Sequence, residues 1–249
     1  KRRVEVGLTS EYSVGGIFVD ENMFTGVPGL YAAGEAASGV FGANRVADAV
    51  TEMLVQGYKA GEVAAARASE QTRVASDDAA IERAVGVLEK LLSNQGGIAV
   101  SEAIDRLGEI SDKALGMVRN ETTLRAGVEA FETLGAEMDG ISLRGKSLRY
   151  NRELMQALAA RNLLACSRVA AKMALERRES RGLHLRDDYS YIDNENWQVR
   201  QLAELVNGED KLSKKVPVVT RIPLRKAEKI DYESFILEED LGMKNMEES

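Results

Sequence analysis

The feature that most constrains this chain is the stretch Gly29 to Arg45, Gly-Leu-Tyr-Ala-Ala-Gly-Glu-Ala-Ala-Ser-Gly-Val-Phe-Gly-Ala-Asn-Arg. It reads as a short apolar strand, a glycine-rich loop holding one acid, and an arginine where a helical pattern begins. Glycines let a backbone approach a ligand closely, and the first N–H groups of the following helix point outward, which together make an anion and nucleotide site. Glu35 can accept hydrogen bonds from hydroxyl groups. The same pattern also serves as a tight turn with no ligand, so these residues alone leave both readings open.

The texture on either side divides the chain. From Val4 to Ala33 short β-branched and aromatic runs such as Ile17-Phe18-Val19, separated by Gly, Asn and Pro, predict two or three short strands. From Asn44 the period changes. Val46, Ala49, Val50, Met53, Gly57, Ala60 and Ala64 fall at helical spacing and form a small-residue stripe suited to lying on a sheet, fading near Arg67 to Ser69. Ser76, with Asp77 and Asp78 behind it, predicts a helix start with a capping hydroxyl and acids in the first turn.

Three further stripes follow. Ile81, Ala84, Leu88 and Leu91 end at Asn94-Gln95-Gly96-Gly97; Val100, Ile104, Leu107 and Val118 predict a second helix; Leu124, Val128, Phe131, Leu134 and Met138 predict a third, closed by Gly140. Leu148 to about Arg178 reads as a long fourth helix. Short loops between amphipathic helices imply antiparallel neighbours, so residues 77–178 are expected to be a compact bundle. Beyond Arg178 an ordered loop runs to Trp197, a strand over 197–206 turns at Asn207-Gly208, and Val216-Pro217-Val218-Val219 is its expected partner. The acidic end, Glu238 to Ser249, is expected to fray.

Composition narrows the function classes. At 249 residues and 44% hydrophobic the chain can bury a core of one or two domains. Its 33 basic and 40 acidic residues leave a formal net charge of -7, which argues against general binding to nucleic acid or an anionic membrane. No run approaches 18 apolar residues, so no direct membrane insertion is expected. Cys166 has no second cysteine to pair with and falls in a helical pattern where a small buried hydrophobe is the usual role; a reducing compartment is favoured. With His184 as the sole histidine, neither a His/Cys metal cluster nor a Cys/His nucleophile pair can be built.

Four motifs occur in one order: Glu11-Tyr12-Ser13-Val14-Gly15-Gly16-Ile17, Gly29 to Glu35, Gly42-Ala43-Asn44-Arg45, and Ser180-Arg181-Gly182-Leu183-His184-Leu185-Arg186-Asp187-Asp188-Tyr189. Together they resemble the C-terminal part of the flavoprotein subunits of succinate dehydrogenase, fumarate reductase and L-aspartate oxidase, over about Ser10 to Val218. The resemblance implies an α+β fold: the C-terminal piece of an FAD-binding α/β domain (1–72), an antiparallel helical bundle (73–190), and a tail with short strands (191–249). Those flavoproteins begin with a Gly-x-Gly-x-x-Gly motif that is not found in this sequence. The chain is therefore expected to be a piece of a larger flavoprotein, whether cut, proteolysed or one part of a split enzyme, with the missing N-terminal FAD-binding part as a partner.

The resemblance also assigns roles. Arg45 would bind a substrate carboxylate beside the flavin, as a guanidinium fork can do bidentately; its plainer role is a surface ion pair. Glu35 would hold the FAD, with Ala49 and Val50 the nearest match to the helix-start positions that contact the cofactor through backbone N–H groups. Two departures matter. Glu11 stands where the family carries a carboxylate-binding histidine, and Phe41 where a second histidine precedes Gly-Ala-Asn-Arg. A carboxylate facing a carboxylate is repulsive, so Glu11 implies a substrate with a cationic or neutral group there, or else a solvated surface acid. His184 is assigned to packing between the bundle and the flavin part.

The resemblance thus implies part of an FAD-dependent oxidoreductase, cytoplasmic or held at the inner face of a membrane by a partner. It would bind FAD and a small substrate for hydride transfer, carry no catalytic acid or base of its own, and pass electrons to an iron–sulfur subunit or another acceptor. The alternative is a non-catalytic fragment or helical interaction module.

Overall fold

The computed structural model describes residues 13–37, 49–70, 77–207 and 209–215. All lie in the first of two compact units, Lys1–Lys215 and Val216–Ser249. Glu11, Phe41, Arg45, Ser76 and the segment 216–249 fall outside the described residues.

Residues 13–37 are turned chain joined by single bridges, where strands were expected. Ile17 pairs in parallel with Ala37, and Phe24 pairs antiparallel with Tyr31, their rings 5.8 Å apart. Asp20 explains the shortness: its Oδ1 accepts from the N–H groups of Asn22 and Phe24 at 2.8 and 3.0 Å, turning the chain before a ladder can extend. Helix α1, Ala49–Glu70, follows. The small-residue stripe is not its buried side. The buried residues of α1 are Glu52 and Gln56, whereas Val50 and Met53 are 61% and 51% exposed; the side of α1 that meets the 34–36 turn is the one where Gln56 accepts from the Gly34 N–H.

Helix α2, Asp78–Ser93, is capped by Asp77, whose carboxylate accepts from Ala80 N at 3.0 Å; the acid supplies the cap that the sequence assigned to Ser76. Helix α3 is Val100–Leu115, α4 is Glu121–Met138 with an Asn120/Thr123 capping box, and α5 is Arg152–Glu176 capped by Asn151. The core joins α3, α4 and α5 through Leu107, Phe131, Leu134, Leu154, Ala157 and neighbours. Each fully buried leucine or phenylalanine there contributes roughly 1.5–3 kcal/mol. Of α2, the last two turns reach this core, with Leu91 buried and Leu88 and Leu92 partly so, while Ile81 stays exposed.

Three sequence expectations need correction. Val118 does not extend α3; with Arg119 it forms strand β1, paired in parallel with β2, Leu185–Arg186, a partner 67 residues away that no local pattern announces. Cys166 is exposed, since α5 buries Leu154, Ala157, Ala160, Leu164, Ser167, Ala171 and Ala174 and position 166 lies off that stripe. Past a short helix α6, Asn194–Trp197, strand β3, Arg200–Val206, pairs antiparallel with β4, Glu209–Lys215, from Val206↔Glu209 to Arg200↔Lys215. A two-residue turn, with Asn207 at φ 53°, brings the very next residues into register. The partner of β3 is thus 209–215, and Val216 to Val219, the expected partner, lie outside the described residues.

The hairpin is anchored on α5. Asp210 meets Arg168 Nε at 2.9 Å and Lys172 Nζ at 3.2 Å, Gln201 Nε2 donates to the Met173 carbonyl at 3.0 Å, and Lys214 Nζ lies 3.5 Å from the centroid of the buried Trp197 ring.

Candidate functional site

Two separated motifs meet around Glu35. Residues 34–36 form one turn of 3-10 helix entered from extended backbone at Ala33. Against that turn lies the segment Ser13 to Ile17: Ser13 N donates to Glu35 Oε1 at 2.7 Å, and Ile17 N donates to the Ala36 carbonyl at 2.9 Å. One carboxylate oxygen of the exposed Glu35 is therefore committed to fixing its orientation. A carboxylate has acceptor sites on both oxygens, so hydroxyl groups of a ligand fit the second.

Glycine is required at two of these positions. Gly34 adopts φ +66°, and a Cβ there would lie 3.1 Å from Met53 Cβ; at Gly16, with φ +150°, a Cβ would lie 2.6 Å from the Ala36 carbonyl oxygen. Helix α1 joins from the other side. Gln56 Oε1 accepts from Gly34 N at 2.7 Å, and its Nε2 donates to Glu52 Oε1 at 3.1 Å, both bonds buried. Ala49 and Val50 are the first two residues of this helix. The structure thus brings Glu35, its flanking glycines and α1 into one cluster. Glycine at 16 and 34 lets the chain pack against Ala36 and Met53, which holds Glu35 as an oriented and exposed acceptor whose chemistry fits the hydroxyl groups of a nucleotide cofactor such as FAD. Glu11 and Arg45, the two substrate residues read from the sequence, lie outside the described residues.

The fourth motif makes a second cluster, and its partners lie among residues 115–197. Arg186, 2% exposed, forks onto Asp188 at 2.7 and 2.6 Å, while its Nη1 donates to the carbonyls of Ala174, Leu175 and Arg177. These are the carbonyls left open where α5 ends. The fork raises the Arg186 pKa, and the same bonds hold Asp188 below its ordinary carboxylate value. Glu179 is fully buried. Burial pushes its carboxyl up, but Arg181, the Asp193 N–H and Arg177 outweigh that and leave it lowered. Sequence reading missed Glu179 and the burial of Arg186; the charge density of Glu-Arg-Arg-Glu-Ser-Arg at 176–181 was the available signal.

His184 sits inside this cluster. Arg119 Nη1 lies 3.1 Å from Nδ1, and the Arg177 carbonyl lies 3.3 Å from Nε2. A guanidinium only donates and a carbonyl only accepts, so Nδ1 accepts and Nε2 carries the hydrogen. Burial, assisted by the charges of Arg119, Arg177 and Arg186, lowers the imidazole pKa from 6.5 to about 4. A ring held neutral by this much is a structural link between β1 and the end of α5. Among the described residues no three His, Cys, Asp or Glu side chains are grouped to hold a metal ion, and no helix is long and apolar enough to cross a membrane.

Known proteins resemble this chain over both clusters. A family model described as fumarate reductase flavoprotein C-term matches residues 104–232, just over half the chain, and one described as FAD binding domain matches residues 2–48. The fumarate reductase flavoprotein subunit of Haemophilus influenzae is 34% identical over 196 residues, 77% of this chain and 33% of that protein; that of Escherichia coli is 31% identical over 194 residues, 76% and 32% respectively. The chain spans about a third of the length of these relatives. Among solved structures, FrdA of E. coli quinol fumarate reductase superposes with a TM-score of 0.79 at 28% identity, covering 86% of this chain and 38% of that one. Mycobacterium smegmatis Sdh1 gives 0.76 at 29%, covering 82% and 35%. Adenylylsulfate reductase of Archaeoglobus fulgidus, at 0.66 and 23% identity over 80% and 33%, shares the fold. The α+β fold class and FAD as cofactor agree with the expectation from sequence, and the chain belongs to the fumarate reductase flavoprotein family.

Proposed function

We propose that this chain supplies part of the cofactor and substrate site of an FAD-dependent oxidoreductase of the fumarate reductase and succinate dehydrogenase type. The observation that carries the reading is the meeting of Ser13–Ile17, the Gly34–Ala36 turn and α1 around one oriented carboxylate, Glu35. Bound FAD supplies hydride exchange with a substrate carbon. Glu35 binds cofactor hydroxyls, and the backbone at the start of α1, Ala49 and Val50, lies against the cofactor. Arg45 clamps a substrate carboxylate and fixes the geometry of the reacting carbon. Glu11 selects a substrate whose facing group is cationic or neutral.

The domain division at about residues 72 and 190 belongs to the same proposal. So do the partners: an N-terminal FAD-binding part that completes the socket and an iron–sulfur subunit that takes the electrons, with the assembly on the cytoplasmic side. The H. influenzae relative, of which the matched region makes up 33%, supports the first of these.

The test is optical. Chain combined with its N-terminal FAD-binding part, mixed with FAD and passed through a desalting column, retains flavin absorbance, and Glu35→Gln weakens FAD binding about tenfold or more, the scale of a lost hydrogen bond to a charged acceptor. A folded, helical but colourless protein would overturn the cofactor reading and leave a helical interaction module. Reduction of the bound flavin by succinate, aspartate or amines then ranks substrates for Glu11.

A further inference from the structure

Helix α1 carries a buried polar pair where its sequence advertises an apolar stripe. Gln56 and Glu52 are 7% and 6% exposed, and Gln56 spans from the Glu52 carboxylate to the Gly34 N–H, bonds of 3.1 and 2.7 Å. Burying two polar side chains on a helix whose apolar residues Met53, Leu54 and Tyr58 remain more than half exposed runs against the usual partition. Something must reward it. The reward visible in the structure is satisfaction of one backbone donor, Gly34 N, at the residue whose left-handed φ of +66° begins the turn that holds Glu35.

Glutamine suits this position. Its amide offers an acceptor at one end and donors at the other; Glu52, one helical turn earlier, takes a donor and so points the carbonyl oxygen at Gly34. With the N–H held, the Ala33-Gly34-Glu35 backbone is pinned to α1, and the Glu35 carboxylate is met from the opposite side by Ser13 N. The turn is thus clamped from two directions, by a side chain of α1 and by the chain before Gly16.

We propose that Gln56 is a positioning residue for the cofactor: oriented by Glu52, it fixes the Gly34 turn and thereby sets where Glu35 meets the hydroxyls of FAD. This rests on the cofactor reading of Glu35. Both ends of the Gln56 amide are taken up, by Glu52 and by the Gly34 N–H, so its effect passes through the Gly34 turn to Glu35, and that route is measurable.

The experiment is a double-mutant cycle on FAD affinity, read by fluorescence titration of the chain joined to its N-terminal FAD-binding part, with amide hydrogen exchange at Gly34 as the second measurement. Gln56→Met keeps the length and removes the acceptor. It is expected to weaken FAD binding about tenfold, the scale of one unsatisfied buried donor, and to speed Gly34 exchange. In a Glu35→Gln background the same change should cost less than about threefold, because the two act as a unit. Full additivity, or unchanged affinity in Gln56→Met, overturns the proposal while leaving the cofactor reading intact. Affinity unchanged by Glu35→Gln, or no FAD bound by the wild-type chain, overturns the cofactor reading and the proposal with it; Gly34 exchange then still reports whether Gln56 holds the turn. Should Gln56→Met fail to fold, the wild-type chain decides: a Gly34 amide exchanging as fast as an unstructured peptide overturns the clamp, and slow exchange that slows further on adding FAD supports it.

Discussion

Around Glu35 the chain is held by backbone geometry, with glycines at 16 and 34 and a single buried side-chain amide from Gln56. At the end of α5 it is held by side chains, with Arg186 and Glu179 buried and each engaged by several charged or carbonyl partners. The first arrangement leaves apolar residues of α1 and the Glu35 carboxylate facing outward. The second turns its charges inward and satisfies them. The contrast teaches that the density of charged residues in a sequence is a poor guide to which side chains stay available to solvent. In this protein the charge-rich motif builds a joint between α3, α5 and β2, whereas the charge-poor, glycine-rich one presents an available acceptor.

The joint offers the largest effect. Arg186→Met removes a buried cation from Asp188 and from three helix-terminal carbonyls, and is expected to cost about 3–5 kcal/mol of unfolding free energy. Urea denaturation followed by circular dichroism measures it; a loss below 1 kcal/mol would mean that the guanidinium is dispensable and the comparison wrong. FAD affinity of the surviving folded fraction should be unchanged.

Next comes the imidazole. Because the folded-state pKa of His184, about 4, lies below its ordinary 6.5, the unfolded chain binds the proton first. Stability from this group is present above pH 6.5 and is lost as pH falls through that window toward 4, by at most about 2–3 kcal/mol. Glu179 and Asp188, whose carboxyls are also lowered, lose their contributions further down, below the ordinary carboxylate range. His184→Gln should flatten the upper part of a plot of midpoint urea concentration against pH and leave the lower part; an unaltered profile would remove His184 from the joint.

The smallest global effect belongs to the glycine cradle. Gly16→Ala would bring a Cβ within 2.6 Å of the Ala36 carbonyl oxygen, so the chain around Gly16 must shift, at a cost of roughly 1–3 kcal/mol confined to residues near 13–37. Hydrogen exchange should quicken at Ile17 and Ala37 while the core amides of α4 and α5 keep their protection. Equal loosening of both regions would show that they are one cooperative unit, and the two-part comparison would fall.

Much of the helical half was legible. The stripes of α2 to α5 match the observed helices to within a few residues at most ends, Asn94-Gln95 and Gly140 stand where helices stop, and Asn207-Gly208 marks the hairpin turn, because all of these rest on spacing and on turn chemistry within a few residues. Strand β4, Glu-Asp-Lys-Leu-Ser-Lys-Lys, was not legible: it carries almost no apolar alternation and is stabilised by a tight turn and by Asp210 reaching Arg168 and Lys172 on α5. The candidate site divides in the same way. Glu35 and its glycines stood out in the sequence; Gln56 did not, because nothing local distinguishes a glutamine that meets a backbone N–H 22 residues away from one facing water.

Sequence alone determined the periodic elements, the family motifs and the residue types available at the Gly34–Ala36 turn, since helix spacing and glycine freedom are properties of the local chain. Tertiary structure alone decided which polar groups are buried: Glu52 and Gln56 in place of the small-residue stripe, Arg186 and Glu179 in place of solvated charges, and an exposed Cys166. Burial of a polar group is tolerated only where distant partners satisfy it, and those partners are chosen by how the elements pack.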